Sequence, residues 1–244
     1  VKPKKTKKQK TLRPLRLGVS KNSQPKSYLR LGLHRLKGLK KTTAQRIASS
    51  TINGFGRALC VLVPLFAFTF LQNLDGARLT EQSLASGAWP TLWTGHFLHF
   101  TFEHFLWDAV MFATLALLLW REERWRLWGW LLLAAPLISI LLFYCDTQLT
   151  EYRGLSALDS MLYARLCWSL CLRGSRWQRG VFGAFPLIAF LGKVIFELST
   201  GATLFVNNLG PGVVLLPLAH LLGFLSGSLW AYCSCDCGMR GKSA

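Results

Sequence analysis

Three short segments of this 244-residue sequence gather residues able to do chemistry within apolar surroundings. The first runs His99-Phe-Thr-Phe-Glu-His104-Phe-Leu-Trp-Asp108. His104 and Asp108 are four apart, so on an α-helix they share one face. The second is Gly154-Leu-Ser156, a hydroxyl just after a residue that tolerates a tight turn, where the first turn of a helix would begin. The third is Ala219-His220-Leu-Leu-Gly223-Phe-Leu-Ser-Gly227. Gly223 and Gly227 form a small-xxx-small face that another helix can approach closely, and His220 lies one turn before Gly223 on much the same face. Taken singly, a Ser at a helix start is usually a cap and a lone His in an apolar helix a packing hydrogen-bonder. Taken together, Ser156 and His220 are a nucleophile and a base able to meet.

Apolar helices must position these groups. The chain is 51% apolar and only 16% charged, with mean hydropathy +0.30, whereas soluble domains carry about a quarter charged residues. Residues 1–57 hold 17 of the 29 Lys and Arg and no acid, while the remaining residues carry a net charge of +1. A basic tail alone would suit nucleic acid. The nearly neutral, apolar remainder argues against a soluble nucleic-acid binder, and nothing in the leader suggests a folded module. A cleavable signal peptide is not expected either, because the charged stretch does not run straight into an apolar core. Residues 1–51 are expected to be a disordered, basic cytoplasmic tail, with 28–45 weakly amphipathic and able to lie on anionic lipid. The chain opens with Val and its first methionine is Met111, as expected of an alternative start codon, a truncation or an extended leader.

Six apolar stretches follow, at about 52–71, 102–120, 127–144, 155–172, 181–198 and 213–233. Each is near the ~20 residues that cross a bilayer core. Six of them leave no polar face for a soluble surface, so the expected fold class is an all-α membrane protein, a six-helix domain over 52–235 with a short cytoplasmic tail over 236–244. The connection over 72–101 is too long for a plain turn. Arg121, Arg124, Arg126, Arg173, Arg176, Arg179, Arg240 and Lys242 fall on one side of such a bundle, and only Arg78 and Arg153 on the other. The positive-inside rule then puts both termini in the cytoplasm and the 72–101 connection outside. Spans two, four and six run inward, so His104, Asp108 and Ser156 lie near the outer face, with His220 a little deeper.

Ionisable groups within hydrocarbon are costly, so each one is a functional hypothesis. Lys193 and Glu197 read as a structural i,i+4 ion pair. Arg165 reads as snorkelling to the cytoplasmic side. Asp159 either orients His220 or caps its own helix start. Cys60, Cys167 and Cys171 read as small hydrophobes. Cys233, Cys235 and Cys237 form a C-S-C-D-C run that suits acylation better than metal, since no fourth ligand is apparent. No metal and no cofactor is expected.

The set H-x4-H-x3-D, G-L-S and A-H-x2-G-x3-G, in that order on spans two, four and six, resembles the rhomboid family of intramembrane serine proteases. The Tyr152-Arg-Gly154-Leu-Ser156 segment and the compact six-span layout look most like its rhombosortase-type branch. The resemblance covers about residues 52–235. It implies Ser156 as nucleophile and His220 as general base, with His104 and Asp108 at the oxyanion site. His99 would lie at the loop-side end of that motif, and Gly154, Asp159 and Gly223 would support it. Many rhomboids have Asn at the position of Asp108, Gly at that of Ala157 and Tyr at that of Ser160. The implied activity is endoproteolysis of membrane-anchored or C-terminally tailed secreted proteins within the cell (inner) membrane, the site opening to the extracytoplasmic side. The alternative is a catalytically inactive rhomboid-like protein that binds transmembrane segments. A transporter would call for internal repeats, and none is seen.

Overall fold

The structure, a computed structural model, describes residues 43–201 and 216–240. Chain contacts divide the protein into Val1–Ile47 and Ala48–Ala244. Most of the expected basic tail, including 28–42 of the amphipathic stretch, lies outside the described residues, as do 213–215 of the sixth apolar stretch and the side chains of Cys235 and Cys237.

The long helices, in chain order, are α1 (Thr43–Leu71), α4 (Phe102–Glu123), α5 (Trp125–Cys145), α6 (Ser156–Arg173), α7 and α8 (Pro217–Arg240). The seventh, α7 (Arg176–Thr200), contains a π-helical stretch at Arg179–Ala184. Among the described residues, four segments are helices long and apolar enough to cross a membrane: Ser49–Leu71, Phe102–Glu123, Trp125–Cys145 and Arg176–Thr200. The fourth and sixth expected stretches are helical as well, as α6 and α8, but more polar. The helix α8 continues to Arg240, beyond the residue at which a tail was expected to begin.

The 72–101 connection is folded rather than loose. It contains strand β1 (Leu79–Thr80) and short helices α2 (Glu81–Ala85) and α3 (Thr91–Thr94), followed by a 3-10 turn at Gly95–Phe97. Thr80 and Ser83 close a capping box at the start of α2. Strand β1 pairs antiparallel with β2 (Glu151–Tyr152), Leu79 opposite Tyr152, which ties the connection to the residues just before α6.

A proline helps anchor this cap. Pro136 lies inside α5 and has no N–H to give the carbonyl of Leu132. The indole Nε1 of Trp93 donates to that carbonyl instead, at 2.9 Å. One turn on, His96 Nε2 lies 3.0 Å from the carbonyl of Ala135 and from Ser139 Oγ. Burial holds the His96 imidazole well below its ordinary range, at about 4, so it is a neutral anchor at physiological pH.

Core packing centres on α6, whose residues Ala157–Leu162 are all buried. It lies closest to α8 at two glycines. A Cβ at Gly223 would stand 1.9 Å from the Ala157 carbonyl oxygen, and one at Gly227 would stand 2.1 Å from that of Met161. Only hydrogen fits at either position, so the two backbones touch. Arg165, expected to snorkel, does not reach water. It is buried, paired with Glu123 at the end of α4, and its guanidinium lies 5.3 Å over the Trp230 ring of α8.

Candidate active site

The start of α6 is built without a side-chain cap. Leu155 occupies the N-cap position and offers the first-turn N–H groups no side-chain cap, and neither Ser156 nor Asp159 caps the helix. Just before it, Gly154 has φ +129°, a conformation that side-chain-bearing residues rarely adopt. A Cβ there would also stand 3.2 Å from His104 Cε1 and 3.4 Å from Asp108 Oδ2. Glycine therefore lets the turn into α6 lie directly against the two groups on α4.

On that side, two imidazoles converge on one carboxylate oxygen. Asp108 Oδ2 lies 3.2 Å from His99 Nε2 and 3.3 Å from His104 Nε2. The His99 ring is fully buried and its Nδ1 faces the Phe97 carbonyl at 3.2 Å. A carbonyl only accepts, so Nδ1 is the donor in that contact. The backbone of His99 is clamped by the side-chain amide of Gln72, which accepts from its N–H and donates to its carbonyl. Thr101 caps α4 by accepting from the His104 N–H at 3.1 Å. The ligand atoms of His99, His104 and Asp108 lie within 4.8 Å of one another and are of types that could hold a metal ion. In the arrangement observed, both imidazoles turn Nε2 to the carboxylate, and His104 Nδ1 is buried without a hydrogen-bond partner among the described residues.

On the other side of Ser156 stands His220. Its Nδ1 lies 3.2 Å from Ser160 Oγ, and the Phe190 ring of α7 meets the imidazole edge-on with centroids 6.4 Å apart. Ser160 Oγ in turn donates to the Ser156 carbonyl at 2.8 Å. Ser156 itself is partly exposed, whereas Ser160 is buried. Among the described residues no hydrogen bond joins Ser156 Oγ to His220. Asp159, for which an orienting role toward His220 was one reading, is buried with Oδ1 unpartnered, and Ser160 makes the contact with the imidazole. Lys193 and Glu197 form the expected ion pair at 2.7 Å on α7.

The fold thus brings His99, His104, Asp108 and Gly154 together at the start of α6, and His220 to the first turn of that helix through Ser160 and Gly223. Sequence reasoning missed two residues. Ser160 entered only as a departure from a family pattern, and His96 had no motif to mark it. The spacing of Ser160, one turn after Ser156, was the available signal for the first. Compared with known proteins, the chain matches no protein-family model and no curated protein.

Proposed function

We propose that this protein is a rhomboid-type intramembrane serine endopeptidase. It cuts membrane-anchored or C-terminally tailed secreted proteins through Ser156 and His220, with a rhombosortase-like preference for Gly-rich tails. One observation carries the reading. The uncapped start of α6, bearing a partly exposed serine, lies between the His104–Asp108 pair and an imidazole held by its Nδ1.

The chemistry follows from that arrangement. His220 takes the Ser156 proton as the alkoxide attacks the scissile carbonyl, then returns it to the leaving amine as the C–N bond breaks. The N–H groups of the α6 first turn, the positive end of that helix and His104 stabilise the developing oxyanion. Water then hydrolyses the acyl-enzyme. The missing Ser156–His220 hydrogen bond fits a resting enzyme, since such bonds often tighten only with substrate bound. A catalytically dead relative would keep the same geometry without turnover, so the deciding experiment is chemical. Full-length protein in liposomes should cleave a tailed substrate and take up a fluorophosphonate on Ser156. Failure of both at neutral pH leaves the non-enzymatic reading.

In this reading α6 and α8 are the fourth and sixth spans. They are more polar than the other long helices because they carry the site, and intramembrane polar groups face a bundle interior. Both termini are cytoplasmic. A reporter fused after Lys242 should report cytoplasm and one inserted near Gln82 the opposite side. An external C-terminus would overturn the six-span arrangement.

Asp108 stands where many rhomboids carry Asn. Ionised, it accepts from His104 and orients that ring toward the oxyanion. Asp108→Asn retains much of the activity, because the amide can occupy the same hydrogen-bonding position, while Asp108→Ala loses about ten- to a hundredfold, the usual size for a supporting group. The check is rate against pH. Wild-type activity that falls between about pH 6 and 8 while the Asn variant stays flat would mean a neutral acid donates to the oxyanion instead.

A further inference from the structure

We infer that Ser160 is a positioning residue that sets the tautomer of His220, making Ser156, His220 and Ser160 a hydrogen-bonded relay wound around one turn of α6. The inference deepens the protease reading and rests on it for its functional part alone.

A serine hydroxyl has one hydrogen to give and two lone pairs to receive. The Ser160 hydrogen is committed to the Ser156 carbonyl, 2.8 Å away, because a carbonyl oxygen can only accept. The contact of Ser160 Oγ with His220 Nδ1, at 3.2 Å, is then attractive only if Nδ1 is the donor. A neutral imidazole carries one N–H. With that hydrogen at Nδ1, Nε2 is left with a bare lone pair, the state a general base requires. Ser160 is 3% exposed, so water does not readily replace it as the acceptor.

The backbone supplies the geometry. Ser160 lies one helical turn after Ser156, which lets its hydroxyl bond back to the carbonyl of the nucleophile's own residue. The Gly223 position, one turn beyond His220, is so close to α6 that a Cβ there would stand 3.0 Å from Ser160 Cβ. The close crossing of α6 and α8 therefore brings imidazole and hydroxyl into reach. In hydrolases with a Ser-His-Asp triad, a carboxylate performs this task, and losing the correct tautomer costs about 10⁴-fold in kcat. A neutral hydroxyl is a weaker acceptor than a carboxylate, so a smaller effect is expected here. When His220 takes the Ser156 proton it becomes an imidazolium with hydrogens on both nitrogens. The Nδ1 hydrogen stays on Nδ1, donated to Ser160 Oγ throughout, and the Nε2 hydrogen leaves with the amine.

The experiment is ¹⁵N NMR of full-length protein with labelled imidazoles, in lipid nanodiscs above pH 8, with His220→Gln identifying the signal. Wild-type His220 should carry its hydrogen on Nδ1, and Ser160→Ala should shift the population toward Nε2–H. In parallel, fluorophosphonate labelling of Ser156 should slow about ten- to a hundredfold in Ser160→Ala, the usual range for losing a supporting partner. An Nε2–H tautomer in the wild type overturns the inference whatever the variant does. So does an unchanged tautomer and labelling rate in Ser160→Ala. A wild-type protein with the Nδ1–H tautomer that never labels Ser156 leaves the relay in place and refutes the protease reading instead.

Discussion

Ser156→Ala and His220→Ala each abolish cleavage of a tailed membrane substrate, by about 10⁴- to 10⁶-fold, while the protein remains folded and helical. The size follows from the roles. Without the hydroxyl there is no acyl-enzyme, and without the imidazole there is no acceptor for its proton, so only the residual contribution of the oxyanion donors survives. The double variant should be no worse than either single one, because the two residues act as a unit. Folding should survive because Ser156 is partly exposed and its replacement by Ala removes a single hydroxyl. His220 is only half-buried, and its removal frees Ser160, whose hydroxyl keeps the Ser156 carbonyl as partner. Turnover assays with purified protein in liposomes, with circular dichroism as the folding control, decide the matter. Substantial turnover by Ser156→Ala would sink the assignment of the nucleophile.

The second large effect is structural. Gly223→Ala puts a methyl carbon 1.9 Å from the carbonyl oxygen of Ala157 and 2.8 Å from its carbon. No rotamer relieves that clash, since both partners are helix backbone. The cost is at least the ~1–3 kcal/mol typical of overpacking, and α6 and α8 must separate to absorb it. Separation also pulls His220 from Ser160, so activity is lost even where the protein still folds. Gly192→Ala is the control. It lies in α7, where an added Cβ meets nothing within 4 Å, and it should leave both stability and activity within experimental error. Thermal unfolding in detergent should show a lowered Tm for the first variant and none for the second. Equal Tm values would mean that the helices can be packed less tightly than they are here.

Much of this could be read from the residues alone. Apolar stretches of membrane length announce helices because a bilayer demands about twenty apolar residues per crossing. The described structure has helices at all six positions. The Gly223–Gly227 pair announced a close helix crossing, because glycine four apart is how two helix backbones come into contact. The pairing of His104 with Asp108 followed from the helical period.

Other features were decided only when distant segments met. The 72–101 connection carries no long periodic pattern, and its order comes from β1 pairing with β2 and from a carbonyl that Pro136 leaves free for Trp93. Arg165 looked like a lone cation seeking water, and the end of α4 supplies Glu123. Asp159 was one candidate to orient His220, and Ser160, its neighbour on the same helix, was not. A one-residue step turns a side chain by about 100° around the helix axis. Which of the two met the imidazole therefore depended on the side from which α8 crosses α6. Helical spacing along a chain determines which residues share a face. The rotation and crossing of packed helices determine which face meets which, and that information belongs to contacts between residues some sixty positions apart.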